Sequence, residues 1–230
     1  MNETLKTQGD LVRKQDKINW WMQVKGILLF PKRLFKESID QINPLFAAVL
    51  MIFGSSFAAI SIFVSQKSKI IIQIHKALSD AYLSSQQIND FANLVGSSLV
   101  ITVLVIFTVL IVLMTWVIKA GIFHFLAKIL GGRGNFLQSF KIVGLAWFPL
   151  FLGSLFKGIF SLVTGRLPII EGNVFFASFL TNTDIFYIWN MVLMTIGFSV
   201  VYGISKKKAV IPILGVWSLG ILFSYFSSLT

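Results

Sequence analysis

The chain has 230 residues, of which 56% are hydrophobic and 13% are charged, and its formal net charge is +11. Soluble domains carry about a quarter charged residues, so this composition favours a membrane-embedded protein. The chain has no cysteine, which excludes disulfides, thiolate metal sites and cysteine nucleophiles.

The N-terminal region, residues 1–43, is predicted to lie outside the membrane domain of residues 44–230. Its first nineteen residues are polar, and no cleavable apolar segment follows them, so the first span is expected to be an uncleaved anchor. The next stretch mixes tryptophans with lysines and predicts an amphipathic helix in the cytoplasmic interface, broken at Pro31. A helix that docks a partner is the alternative. The predicted interfacial anchors are Trp20, Trp21, Lys25, Lys32 and Arg33.

Five apolar runs are long enough to cross a bilayer, which needs roughly 20 apolar residues in a helix. They predict an all-α, polytopic membrane bundle with five transmembrane helices. Small residues recur within them, as expected where helices pack closely in lipid. The runs cover residues 44–65, 97–118, 144–164, 185–205 and 209–228.

The segments that connect the predicted spans also contain patterns that predict structure. Residues 66–96 predict two short amphipathic helices, the second with Ser84 and Gln87 spaced as a capping box. The second span runs on as an over-long helix that projects or bends near Gly121, with Lys119, His124 and Lys128 at or beyond the inner interface. The apolar loop 165–184 is expected to dip into the outer interface or cover helix ends, with a sixth span as the alternative, and Asn182, Thr183 and Asp184 offer N-cap chemistry for the fourth span.

Basic residues divide unequally between the two ends of the predicted spans. Fourteen of the 20 lie before the first span or near the second and fourth bends, and four lie on the opposite side. Basic residues in short loops stay cytoplasmic, so the N-terminus is predicted inside and the C-terminus outside. The basic excess indicates attraction to anionic headgroups, and no nucleic-acid partner is expected.

The glycine-rich stretch "GGRGN" is the one segment that resembles a phosphate-binding motif. It lacks the third glycine of a dinucleotide fingerprint, because residue 137 is Leu137, and it also lacks the Lys-Ser/Thr ending of a P-loop. A left-handed C-cap of the second span is the preferred interpretation. The two histidines have no neighbouring acid and no GxSxG elbow exists. We therefore expect no enzyme, no metal and no cofactor.

Lys157 is the deep charged residue that a transport route would need. The structural hypothesis is that it pairs with Asp184 or reaches the outer headgroups. A single cation makes a poor conduit, so an autonomous small transporter or channel is the alternative function and not the preferred one.

Three segments, "WWMQVKGILLFPKRLFKESID", "GGRGNFLQSFKIVGLAWFPLFLGSL" and "DIFYIWNMVLMTIGFSVVYGISKKKAVIPILGVW", together resemble the Yip family of Ypt/Rab-interacting membrane proteins. The resemblance extends from about Trp20 to the last span. The residues that carry it, or lie within these segments, are the candidate structural or interaction residues Gly131, Gly132, Arg133, Gly134, Phe136, Pro149, Asp184 and Trp189, with Tyr202–Gly203. Lys157 lies outside the quoted segments and is a candidate because of its charge.

The resemblance implies five spans and a cytoplasmic N-terminus. Eukaryotic members act in trafficking through small GTPases, but the short N-terminal region is similar to bacterial members, some of which resemble accessory subunits of ABC-type exporters linked to antimicrobial-peptide resistance. The expected function is non-enzymatic binding of other membrane proteins in a bacterial cytoplasmic membrane. Expected partners are anionic lipid, such an exporter and a second copy of the chain; a trafficking factor that binds a small GTPase is a further alternative.

Overall fold

The fold, seen in a computed structural model, consists of helices joined by short connections. The structure describes residues 19–79, 84–95, 97–166, 179 and 183–227, and within them there is no strand. A 3-10 turn, Ile39–Gln41, follows the second helix. The α-helices are α1 Trp20–Leu29, α2 Pro31–Ser38, α3 Pro44–Ser79, α4 Ser85–Val95, α5 Ser98–Ile129, α6 Phe136–Ala146, α7 Phe148–Thr164, α8 Ile185–Tyr202 and α9 Lys206–Ser227.

Five spans are formed by α3, α5, α6 with α7, α8 and α9, each long and apolar enough to cross a membrane. The predicted all-α, five-span architecture is therefore confirmed. We call the side that carries α1, α2 and the turns at residues 130–135 and 203–205 proximal, and the opposite side distal. The proximal side is the one predicted from the distribution of basic residues to be cytoplasmic.

The first two spans extend beyond their apolar runs, which was predicted for the second span and not for the first. Helix α3 has 36 residues and extends about 54 Å, so the separate helix expected after residue 66 is wrong. No glycine or proline interrupts residues 66–79, and nothing in the sequence ends the helix there. Helix α5 likewise runs through Gly121 without a break. The second expected helix of this connection is α4, and its Ser84–Gln87 capping box is confirmed at 3.0 and 3.3 Å.

The third span begins at Phe136, eight residues earlier than predicted, and is interrupted at Trp147. Asn135 and Gln138 form a capping box at its start. Pro149 explains the interruption, because proline has no N–H to give to the carbonyl four residues earlier and its ring crowds that carbonyl. The fourth and fifth spans also shift: α8 ends at Tyr202 and α9 begins at Lys206.

The third span lies at the centre of the bundle, and glycines set how closely its neighbours approach. A methyl group at Gly54 would lie 2.6 Å from Phe151, and one at Gly158 would lie 2.8 Å from Phe57, so α3 and α7 pack at backbone distance. The methyl positions of Gly215 and Gly220 are open. These two glycines of α9 therefore do not mark a packed face of this chain.

The segment before Pro44 contributes to the same core. The predicted break occurs at Phe30, and Pro31 is the first residue of α2. Phe35 is fully buried and lies beside Gly197 of α8. Helix α2 therefore docks on the bundle through one face.

The opposite face of α1 and α2 carries the predicted interfacial anchors. Trp20 and Trp21 are 59% and 50% exposed, and the ammonium of Lys25 lies 5.3 Å from the ring of Trp21. Lys32 is exposed. Arg33 donates a 2.9 Å hydrogen bond to Glu37, which raises the pKa of the guanidinium. Rings and cations thus share one exposed surface, as an interfacial helix requires.

The distal connection between the third and fourth spans is only partly described. Residues 167–178 and 180–182 lie outside the described residues, and with them most of the apolar loop predicted at 165–184. Helix α7 ends at Gly165, whose φ is +62°. Asp184 caps α8, as predicted, by accepting a 2.8 Å hydrogen bond from the N–H of Tyr187.

Candidate functional site

The glycine bend, residues 130–135, ends α5 with a left-handed residue. Gly131 has φ +86°, its N–H donates to Lys128 O at 3.0 Å, and the N–H of Gly132 donates to Ala127 O at 2.9 Å. These two bonds form a Schellman motif, in which glycine is favoured because a side chain strains the left-handed residue. The predicted C-cap is confirmed.

The other glycines of the bend pack against Tyr202. A methyl group at Gly132 would lie 2.7 Å from Tyr202 Cδ1, and one at Gly134 would lie 2.6 Å from Tyr202 Cε2. Between them, the N–H of Arg133 donates to Tyr202 O at 3.0 Å, while the Arg133 side chain is exposed. The glycine spacing therefore makes room for an aromatic ring and not for a phosphate.

The hydroxyl of Tyr202 joins three segments. It donates to the carbonyl of Asn135 at 2.9 Å and lies 2.6 Å from Nδ1 of His124. Because the hydroxyl has a single proton and gives it to Asn135, Nδ1 of His124 is the donor of the shorter bond. The Phe136 ring, 45% exposed, lies edge-on to His124 at 6.0 Å. His124 thus has a structural role.

Two side chains of α6 connect the bend to the N-terminal helices. Gln138 donates to Asp40 Oδ1 at 3.1 Å, and Lys141 donates to the Asp40 carbonyl at 2.8 Å. Lys141 is only 6% exposed. A charged group so buried is stabilised by such a bond, so Lys141 serves the packing of the 3-10 turn.

Trp116 of α5 packs directly on α6. Its indole N–H donates to the Phe140 carbonyl at 2.8 Å, and the two rings stack with centroids 4.1 Å apart. A methyl group at Gly144 would lie only 2.3 Å from the Trp116 ring. The second and third spans therefore pack closely at this point.

A chamber of about 20 Å³ lies between α5, the break in the third span, α8 and α9. A chamber of this volume has space for a single water molecule. The Lys119 ammonium lies 5.6 Å from the Trp147 ring. Asn190 donates to the Ala146 carbonyl at 2.7 Å, a carbonyl at the interruption of the helix. Buried backbone groups in lipid must be satisfied within the protein, and Asn190 does so here.

The structure adds a contact to Lys119, which was predicted from the sequence only to lie at or beyond the inner interface. Lys119 is ten residues, roughly 15 Å, from the proximal end of α5, and it faces the interior of the bundle. The second span was predicted to continue as one over-long helix to about this end, but the contact of Lys119 with Trp147 was not predicted. Lys157 is consequently not the only deep cation.

On the distal side, Lys157 Nζ lies 3.1 Å from Asp184 Oδ2. Lys157 was expected either to pair with Asp184 or to reach the outer headgroups, and the structure shows the ion pair. Pro149 is buried at the start of α7, and the half-buried Trp189 packs against the core. The predicted residues thus fall into two groups, the glycine bend with Phe136 on the proximal side and the Lys157–Asp184 pair on the distal side.

Together, the residues described above connect the helices to one another. Several of them were not predicted from the sequence. Lys119, Asn190 and the contact between His124 and Tyr202 were not predicted; a signal for Asn190 was its amide within an otherwise apolar span. Within the described part of the chain, no three histidine or acidic residues come together as a metal site would require.

Comparison with known proteins gives one match. A family model described as the Yip1 domain matches residues 25–227, which is most of the chain and includes the glycine bend, Tyr202 and the Lys157–Asp184 pair. No curated protein and no solved structure matches the chain. The chain is therefore a member of the Yip1 domain family, an integral membrane protein with five apolar helices.

Proposed function

We propose that this protein is a non-enzymatic membrane protein that binds other membrane proteins through α5. The observation that carries the proposal is the unequal covering of the two longest helices. Thirteen large apolar side chains of α5 are exposed, against five of α3, which is four residues longer. We call the exposed side of α5, which includes Phe107, Met114 and Phe125, the α5 face.

The length of the α5 face argues that lipid alone does not cover it. Its exposed side chains run from Leu99 to Ile129, which are roughly 45 Å apart at 1.5 Å per residue. A helix tilted by 40°, the upper end of the usual range, still spans about 34 Å along the membrane normal, whereas the hydrocarbon core is about 30 Å thick. Apolar side chains at the ends of α5 gain from contact with another protein.

The partner class that we propose is an ABC-type exporter, with this chain as its accessory or assembly factor in a bacterial cytoplasmic membrane. The brief connections between most of the spans, which resemble those of bacterial family members, support this choice over a small-GTPase partner. A transmembrane helix of the partner would lie along the α5 face, where small changes in side-chain shape alter packing. A second copy of the chain is the other candidate for that surface.

Affinity purification in mild detergent tests the proposal. The variant F107A/F125A removes two rings that are 61% and 64% exposed on the α5 face, and F53A/F156A removes two that are 59% and 65% exposed on α3 and α7. We expect the native chain and F53A/F156A to recover a membrane-protein partner in stoichiometric amount. We expect F107A/F125A to lose most of it.

Equal recovery by both variants would remove the α5 face from the proposal. Failure of the native chain to recover any membrane protein, together with retention of a single monomeric species, would overturn the binding function itself. Recovery of the chain's own second copy would identify a homo-oligomer and exclude the exporter.

One observation favours the alternative function, a small transporter: Lys119 lines a chamber inside the bundle. A cation inside the bundle is a common mark of a substrate or proton route. Its chamber, however, has space for a single water molecule, and the Trp147 ring occupies one side of the ammonium. Flux in liposomes that contain only this protein, lost in K119M, would favour transport over partner binding.

A further inference from the structure

A second surface, outside the α5 face, has the form of a lipid site. It is a groove of about 1140 Å³ on the distal side, between α3, α5 and the end of α7. Its floor is apolar and includes Ile62, Leu104 and Phe160, while Lys69 and Arg166 lie at its rim. We call it the distal groove. Its volume exceeds the usual range of small-molecule pockets, 300–1,000 Å³.

The floor and the rim of the groove lie at different depths. Ile62 is 18 residues from Pro44 and Lys69 is 25 residues from it, which correspond to about 27 Å and 38 Å along α3. The hydrocarbon core is about 30 Å thick, so the floor lies at acyl-chain depth and the rim lies in the headgroup region. The groove therefore matches an amphiphile oriented along the membrane normal.

Lys69 and Arg166 each lie close in sequence to a residue of one hydrogen-bonded contact between α3 and the end of α7. Gln66 donates a 2.9 Å hydrogen bond to the Gly165 carbonyl, which joins α3 to the end of α7. Lys69 follows Gln66 by about one helical turn, and Arg166 directly follows Gly165. The N–H of Arg166 donates to Thr164 Oγ1 at 3.2 Å, which restrains the backbone there.

The charge of the rim is positive and uncompensated within the described part of the chain. No acidic side chain is among the described residues that line the groove, and neither Lys69 nor Arg166 forms an ion pair with a described residue. Guanidinium and ammonium groups are the side chains that bind phosphate best, the first by paired hydrogen bonds and the second as a point charge.

We propose that the distal groove binds one anionic phospholipid of the distal leaflet, with its phosphate between Lys69 and Arg166 and an acyl chain along Ile62, Leu104 and Phe160. The apolar floor excludes a free phosphate or a soluble anion as the preferred ligand, because it would leave apolar surface in contact with water. The positive rim selects against a zwitterionic lipid of the same chain length. The inference does not depend on the partner proposed for α5.

Native mass spectrometry of the delipidated full chain tests this proposal. The protein is titrated with phosphatidylglycerol and, separately, with phosphatidylcholine of identical acyl chains. Each cation near a membrane surface changes binding of an anionic lipid about fivefold, so K69Q/R166Q is expected to weaken the first phosphatidylglycerol by roughly thirtyfold. Its affinity for phosphatidylcholine should stay within about twofold.

Two variants serve as controls. K67Q/K76Q removes the same charge from the same end of α3, at positions that do not line the groove, and should keep the native lipid preference. K69R/R166K keeps both charges and should also keep it. Lys69 and Arg166 are exposed, so their replacement should leave folding intact, with size-exclusion profile and circular dichroism as the check.

Several results would overturn the proposal. One is equal loss of phosphatidylglycerol in K67Q/K76Q and K69Q/R166Q, which would indicate unspecific attraction to basic surface. Another is displacement of the lipid by millimolar glycerol phosphate, which would indicate a site for a soluble anion. A third is a native chain that binds both lipids equally, or that buries the groove in a dimer and binds neither.

Discussion

The second and third spans differ more than any other pair in this bundle. In the third span, residues 141–149 are all buried, and Gly144 lies against Trp116. In the second, the side chains that face away from Trp116 and Ala120 are mostly exposed apolar residues. The third span therefore holds the bundle together, whereas the second contributes one packed edge and leaves the rest of its surface for contacts outside the chain.

The difference has a physical origin in how each span is built. The third span is interrupted at Trp147 and needs partners for its polar groups, which Asn190 and the bonds to Asp40 supply. Helix α5 is continuous and satisfies its backbone internally, so it can remain lipid-exposed. We therefore expect changes around the third span to lower stability, and changes on the α5 face to alter binding instead.

The largest effect is expected at Tyr202, which clamps the glycine bend. Tyr202→Ala removes a ring that is 1% exposed and should lower the free energy of unfolding by about 3–5 kcal/mol. Tyr202→Phe removes only the hydroxyl shared by His124 and Asn135 and should cost about 1 kcal/mol. Denaturation in mixed micelles followed by circular dichroism measures both. Phe223→Ala, at a site 76% exposed, is the control and should change little.

The next effect is expected at Gly144. Gly144→Ala places a methyl group 2.3 Å from the Trp116 ring, and overpacking of this kind costs about 1–3 kcal/mol. Gly121→Ala, where the same position is open, should be neutral or stabilising by up to about 1 kcal/mol because alanine favours helix. Thermal melts of both variants in one detergent compare them. Equal melting temperatures would contradict the close approach of the second and third spans.

Asn190 is expected to come third. Asn190→Leu leaves the Ala146 carbonyl without its 2.7 Å donor in a buried part of the bundle, at a cost of about 1–2 kcal/mol. Hydrogen–deuterium exchange should show faster exchange for the peptide that covers the break at Trp147. Unchanged exchange there would mean that the carbonyl has another partner.

The smallest effect is expected at the distal ion pair. Lys157 and Asp184 have side chains that are 46% and 29% exposed, and such pairs contribute about 0–1 kcal/mol. Lys157→Met should therefore change stability by less than about 1 kcal/mol. Asp184→Ala should cost more, about 1 kcal/mol, because Asp184 also caps α8. Equal costs in the two variants would show that the cap contributes nothing beyond the ion pair; loss of partner binding in Lys157→Met would give Lys157 a functional role.

Much of the architecture was predictable because bilayer thickness limits the length of an apolar run. The five spans, the capping box at Ser84, the Asp184 cap and the C-cap at Gly131 all followed from local chemistry. The end of α3 did not, because hydropathy falls before that helix ends. In α5, Gly121 between Lys119 and Lys128 left open whether the helix bends or projects, and the helix continues without a break.

The candidate site was less predictable than the fold. The glycine spacing indicated a bend, but the reason for Gly132 and Gly134 is a ring about seventy residues away in the sequence, and periodicity contains no such information. The Lys157–Asp184 pair was proposed from charge and distal position alone. By contrast, the burial of Lys119 depends on which side chains pack around it. Its contact with Trp147 comes from tertiary packing, which the sequence pattern does not contain.

The central claim, that the α5 face binds another membrane protein, is tested most directly by site-specific photocrosslinking in native membranes. A photoreactive residue replaces Phe107 or Phe125 on α5, or Phe53 on α3, which are 61%, 64% and 59% exposed. We expect protein–protein products from Phe107 and Phe125 and only lipid adducts from Phe53. Lipid adducts alone at all three positions would contradict it.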